Sequence, residues 1–145
     1  MAKAYDKAKW HYEGDYPADL PIEQAFVHTG MYLAWLVEQD LLEREFAEEI
    51  DEELGKFRNR EITGPQLYEL LDGVLSDEML SKTGNEFTLA YFDAENAQFI
   101  TDYEELLAEN LASVYQVEDS WENYSKLKQR IDERYRKWKL QNAVK

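Results

Sequence analysis

Apolar residues recur three and four positions apart along almost the whole chain, and strand-like alternation is scarce, so the pattern predicts an all-α fold. The strongest segment is "PIEQAFVHTGMYLAWLVEQ", predicted as a helix over 21–39 with Asp19 as its cap and Pro21 in its first turn. Ile22, Phe26, Gly30, Leu33 and Val37 form one stripe, and Ala25, Tyr32 and Leu36 the next. Val27, Met31 and Trp35 cover much of what remains, so from Ala25 to Val37 the helix is apolar nearly all round. Such a helix belongs in the centre of a bundle. Gly30 lowers its helix propensity, which points to a close helix crossing there.

The next helix, Glu43 to about Phe57, is amphipathic, with Phe46, Ile50, Leu54 and Phe57 inward and acids outward. Thr63 can cap a short helix with Pro65 in its first turn, running to Leu71. Ser76 offers another cap, and Gly84 and Asn85 can interrupt the helix that follows. Whether 77–108 is one long helix or two is open. "SVYQV", 113–117, is the one plausible extended piece. Asp119 and Glu122 can form a capping box for a last helix over 119–140. Its apolar stripe is Trp121, Tyr124, Leu127, Ile131, Tyr135 and Trp138. Ahead of all this lies an irregular aromatic arm, residues 1–20, holding Tyr5, Trp10, Tyr12 and Tyr16. The expectation is a single-domain bundle of five or six helices, with the arm's aromatics stapled over it because ordering such a segment requires burial.

At 145 residues the chain can bury one core without staples. It has no cysteine, which excludes disulfides, a thiol nucleophile and zinc–thiolate sites. The N-terminal segment lacks the apolar stretch of a signal peptide, and "MYLAWLV" is too short to span a membrane. A cytoplasmic location is expected. The formal charge is −15, and it is uneven. From Glu118 onward eight Lys/Arg face five Asp/Glu, so the last helix is basic and should dock on the acidic body. Between Glu38 and Leu54 there are nine acids and one Arg. That field repels nucleic acid and attracts a basic protein, although a solvated acidic face is the plainer reading.

Candidate chemistry is sparse. The chain has two histidines, His11 in the arm and His28 in the apolar helix, and no HExxH, Gly-rich phosphate loop or nucleophile elbow. A metal site would need both histidines plus a carboxylate such as Asp6, Asp15 or Glu118. Spacing neither supports nor excludes it, so no metal or cofactor is assigned, and separate structural roles are expected. Glu48/Glu52 and Glu49/Glu53 lack the accompanying histidines of a di-metal motif. Four Trp and ten Tyr are the stronger lead, since such residues anchor interfaces and line pockets with a polar handle.

"WHYEGDYP" (10–17), "HTGM" (28–31) and "VEDSWENY" (117–124) together resemble a family of small bacterial proteins grouped as a domain of unknown function. The resemblance implies bacterial origin and a single domain, with no established activity, and similar small acidic proteins occur near secreted-toxin genes. Site positions carried over by these motifs would be Trp10, His11, Gly14, Asp15, Tyr16, His28, Gly30, Glu118, Asp119 and Trp121.

The leading expectation is a non-enzymatic binding protein, in its most concrete form an immunity-type inhibitor of a basic toxin domain. Glu45, Glu48, Glu49 and Glu52 would carry that contact. The second is a small-molecule- or metal-dependent site around His11, Asp15 and His28, with Trp10, Tyr16, Glu118, Asp119 and Trp121 as further ligand-binding candidates. A structural or oligomerising module is the third.

Overall fold

In the computed structural model, which describes residues 3–93 and 98–143, helices dominate and one small sheet ties the start of the chain to its middle. In chain order the elements are β1 (Ala4–Lys7), α1 (Ala8–Tyr12), α2 (Val27–Glu38), α3 (Arg44–Glu49), α4 (Asp51–Arg58) and α5 (Gly64–Leu70). Then come β2 (Val74–Ser76), α6 (Lys82–Tyr91), α7 (Gln98–Tyr103) and the long α8 (Trp121–Ala143). Short 3-10 turns join them at Ile22–Phe26, Asp77–Met79 and Val114–Gln116, and Glu104–Ala108 extends α7 as a π turn.

The central helix is as buried as its pattern demands: every residue of α2 from Val27 to Val37 is buried. Tyr32, Leu33, Trp35 and Leu36 are fully enclosed. Gly30 marks the crossing with α5. A Cβ at Gly30 would lie 2.3 Å from Pro65 Cα, and one at Gly64 would lie 2.5 Å from the Gly30 carbonyl oxygen. Backbone meets backbone there, and no side chain fits on either helix. Thr63 caps α5 through a capping box with Gln66, with Pro65 in the first turn.

Several local expectations are corrected. Residues 22–26 form a 3-10 turn entered from Pro21, without a cap from Asp19. The helix expected over Glu43–Phe57 breaks at Ile50 into α3 and α4, and the Glu43 carboxylate caps the first piece. Ser81 caps α6, which runs unbroken through Gly84 and Asn85. The segment "DAEN", over which one helix or two was open, lies partly outside the described residues. "SVYQV" contains a 3-10 turn and not a strand. Ser120, and not Asp119, caps α8, its Oγ accepting from the Asn123 N–H at 3.1 Å.

The strands were not expected. β1 and β2 pair antiparallel, with Ala4 opposite Ser76 and Asp6 opposite Leu75, so Tyr5 is an extra, bulged residue. The arm is therefore a strand and a short helix more than an irregular staple. Its aromatics divide accordingly. Tyr5 is buried and donates to Asn85, Tyr12 stacks near Phe26, and Trp10 is 52% exposed.

The basic helix docks on the body. Tyr124, Leu127 and Ile131 are buried. Arg130 and Arg134 reach the buried Asp102 of α7, and Lys128 lies 3.4 Å from Glu38. Among the described residues no helix is long and apolar enough to cross a membrane.

Candidate metal centre

The β1 bulge decides where Asp6 goes. In a regular strand Tyr5 and Asp6 would face opposite sides, but the extra residue lets both be buried. Tyr5 turns to Asn85, while the Asp6 carboxylate turns to α1 and α2. β1 runs directly into α1, whose last turn brings His11 back over Asp6: His11 Nε2 is 2.8 Å from Asp6 Oδ1. From the first turn of α2, the Thr29 hydroxyl donates to Asp6 Oδ2, and His28 Nε2 lies 3.6 Å from that same oxygen. The two imidazoles meet edge to face, with centroids 4.6 Å apart. Tyr115, on the 3-10 turn before Val117, closes the group, its hydroxyl 2.8 Å from His11 Nδ1. The Gln24 side chain fixes that turn by donating to the carbonyls of Tyr115 and Val117 at 2.7 and 3.0 Å.

Charges sort these groups. Burial opposes ionisation of Asp6, but hydrogen bonds from His11 and Thr29 and the neighbouring imidazoles outweigh it, holding the carboxyl below its ordinary value. Burial pushes His28 down to about 4; Asp6 pulls the other way and His11 adds to the fall, so the imidazole is neutral at pH 7. Burial, with Asp6 and Asp15, pushes the Tyr115 phenol up, so it keeps its proton. The Tyr115 hydroxyl and the Asp6 carboxylate thus hold the two nitrogens of His11 from opposite sides of the ring.

Among the described residues, His28 Nδ1 and the Tyr103 hydroxyl are buried without a hydrogen bond, and His28 Nε2 is the nitrogen that faces Asp6. Asp6, His11 and His28 each offer a donor atom, all within 4.8 Å of one another. Around an ion with bonds of ~2.0–2.1 Å, neighbouring donors sit roughly 2.9–3.4 Å apart. His11 Nε2 and His28 Nε2 stand 2.8 and 3.6 Å from the two different oxygens of the Asp6 carboxylate.

The expectation that the two histidines serve separate roles is therefore overturned, because strand, short helix and central helix converge on one carboxylate. That carboxylate is Asp6. Asp15 is exposed in the turn after α1, near enough to act on Tyr115. Glu118 is exposed and offers its backbone carbonyl to Asn123. Tyr16 packs on Tyr115 at 4.9 Å and donates to the Pro21 carbonyl. Trp10 lies under Lys7. Asp119 accepts from Thr63 at 2.6 Å and Trp121 carries the Arg60 guanidinium at 4.1 Å, a second cluster built around other partners. Gly14 forms a tight turn in which a Cβ would meet the Trp10 carbonyl at 2.9 Å. Thr29 and Tyr115 were not singled out from sequence. Thr29 is adjacent to His28, but Tyr115 gave no signal apart from lying in the segment misread as extended.

No curated protein and no solved structure matches the chain. A family model does, over residues 4–117, a span that includes Asp6, His11, His28, Thr29 and Tyr115 and stops short of α8. The chain therefore belongs to the family of the domain of unknown function DUF7832.

Proposed function

We propose that the protein binds one divalent transition-metal ion through Asp6, His11 and His28, and that this ion is its working centre. One observation carries the reading: two imidazoles and a carboxylate converge on a largely buried site, a donor atom of each within 4.8 Å of the others. Two His and one carboxylate form the ligand set of zinc centres that keep a position open for water or substrate. Nitrogen-rich donors of this kind favour zinc-type ions over calcium or magnesium. An ion held this way polarises a bound carbonyl or activates a bound water, so the reaction class it supports is hydrolysis.

Titration of chelator-treated protein with Zn²⁺ or Co²⁺ tests this. The expected result is one ion per chain and a higher melting temperature, since ligand at 100 times its Kd adds about 2.7 kcal/mol of stability. Asp6→Asn and His28→Gln should each abolish stoichiometric binding. A native protein that takes up no ion, or variants that bind as well as it does, would overturn the reading.

A second reading rests on a different observation. Glu45, Glu48, Glu49 and Glu52 are all exposed on α3 and α4, and among the described residues only Glu48 has an ion-pair partner, Arg44. Uncompensated charge of one sign supports steering of a basic partner, including an immunity-type contact. The two readings are compatible, because the acidic face and the metal centre use different elements.

A further inference from the structure

We propose that Tyr115 is the positioning residue that fixes which nitrogen His11 presents to the metal, holding Nδ1 so that Nε2 faces the ion. This rests on the metal-centre reading above. The Tyr115 hydroxyl is 2.8 Å from His11 Nδ1, while His11 Nε2 is the nitrogen 2.8 Å from Asp6. Only Nε2 lies on the side where the other two donors converge.

A metal on Nε2 requires a lone pair there, so the ring's one proton sits on Nδ1 and donates to the Tyr115 oxygen, whose lone pairs accept it. Ligating histidines ordinarily depend on such an outer partner, and its loss costs about 10–100-fold in metal affinity. His28 has no comparable partner, since its Nδ1 is unbonded. The orienting burden in this centre therefore falls on the His11–Tyr115 pair.

Full-length Tyr115→Phe keeps the ring that packs on His11, Tyr16 and His28 and removes only the hydroxyl. Zn²⁺ titration should show affinity at least about tenfold below the native protein. Nitrogen-15 NMR of the native protein should place the His11 proton on Nδ1 with Zn²⁺ bound, a signature that a packing role would not produce. It does not depend on the variant folding. Native binding with a variant affinity within twofold, or a His11 proton on Nε2 in the loaded protein, would overturn this inference while leaving the metal-binding reading standing. A native protein that binds no Zn²⁺ would bring down both.

Discussion

Asp6 and Asp102 are both buried aspartates held by hydrogen bonds to side chains, yet they are built for different ends. Asp102 accepts from Arg130 at 3.0 Å, from Arg134 at 3.0 and 2.9 Å, and from Tyr91 at 2.8 Å. Burial raises its carboxyl, but these partners more than offset that and hold it below its ordinary value. Its neighbours are permanent cations and a phenol, so every lone pair is occupied and no ligand has a way in. Asp6 instead faces two imidazoles, a donor atom of each residue lying within 4.8 Å of the others. A guanidinium cannot give up its proton and take a metal; an imidazole can. The first cluster closes the bundle by tying α8 to α6 and α7, and the second gathers side chains able to ligate.

The largest effect that could break this comparison is at Asp102. Asp102→Ala leaves two guanidiniums and the Tyr91 hydroxyl without their acceptor, a loss of the kind worth about 3–5 kcal/mol. Both arginines are partly exposed and can turn to water, so denaturant unfolding should show the lower end of that range. Metal binding should be untouched. A cost below about 1 kcal/mol would mean that α8 is held by its apolar stripe alone.

His28 comes next, through pH. Its folded pKa of about 4 lies below an unfolded value near 6.5. Between these the unfolded chain takes up a proton that the native protein refuses. Stability of metal-free protein should therefore be full above about pH 6.5 and fall as pH drops toward 4, by roughly 3 kcal/mol in all. Asp6 and Asp102, held below their ordinary values, add their own loss only at lower pH. His28→Gln should flatten the upper window and leave the lower one. If stability between pH 6.5 and 4 is the same with and without His28, the imidazole is not buried as a neutral ring.

Asp6→Asn should cost less than Asp102→Ala, about 1–3 kcal/mol, because the amide oxygen can still accept from Thr29. The same substitution should abolish Zn²⁺ uptake, whereas at Asp102 the order is reversed, with stability lost and binding kept. Equal losses of stability without any change in metal uptake would make the two aspartates the same kind of residue.

These differences explain what could be read from sequence. The central helix, its crossing at Gly30, the Thr63 cap and the stripe of α8 follow from periodicity and local chemistry, which sequence carries directly. The metal centre does not. β1 has four residues and β2 three, paired across roughly seventy positions, and "AYDK" contains no alternation to reveal them. Asp6 and His11 meet only because a bulged strand turns straight into a helix, and His28 reaches them from α2. Asp6 was one of three carboxylates considered, and sequence offered no basis for ranking it above Asp15 or Glu118. The all-round apolarity of α2 also made a buried, separately satisfied His28 the natural expectation, since a polar residue in such a helix is usually structural.

A third kind of carboxylate gives the smallest expected effect on stability. Glu45, Glu48, Glu49 and Glu52 are exposed, so neither the Asp102 nor the Asp6 pattern applies to them. Reversing all four to Lys leaves positions 45 and 49 of α3 a like-charge pair, worth a few tenths of a kcal/mol as before, and breaks the weak Arg44–Glu48 pair. Phe46, Ile50 and Leu54 still carry the packing of α3 and α4, and the Glu43 cap is retained. Unfolding free energy should thus move by less than about 1 kcal/mol, and Zn²⁺ affinity should hold within twofold. What should change is encounter with a basic protein: the association rate should fall about tenfold or more at low ionic strength, with the gap narrowing as salt screens the field. Stopped-flow measurement against a basic probe protein at two salt concentrations checks this. A rate indifferent to both reversal and salt would reduce the acidic face to a solvated surface.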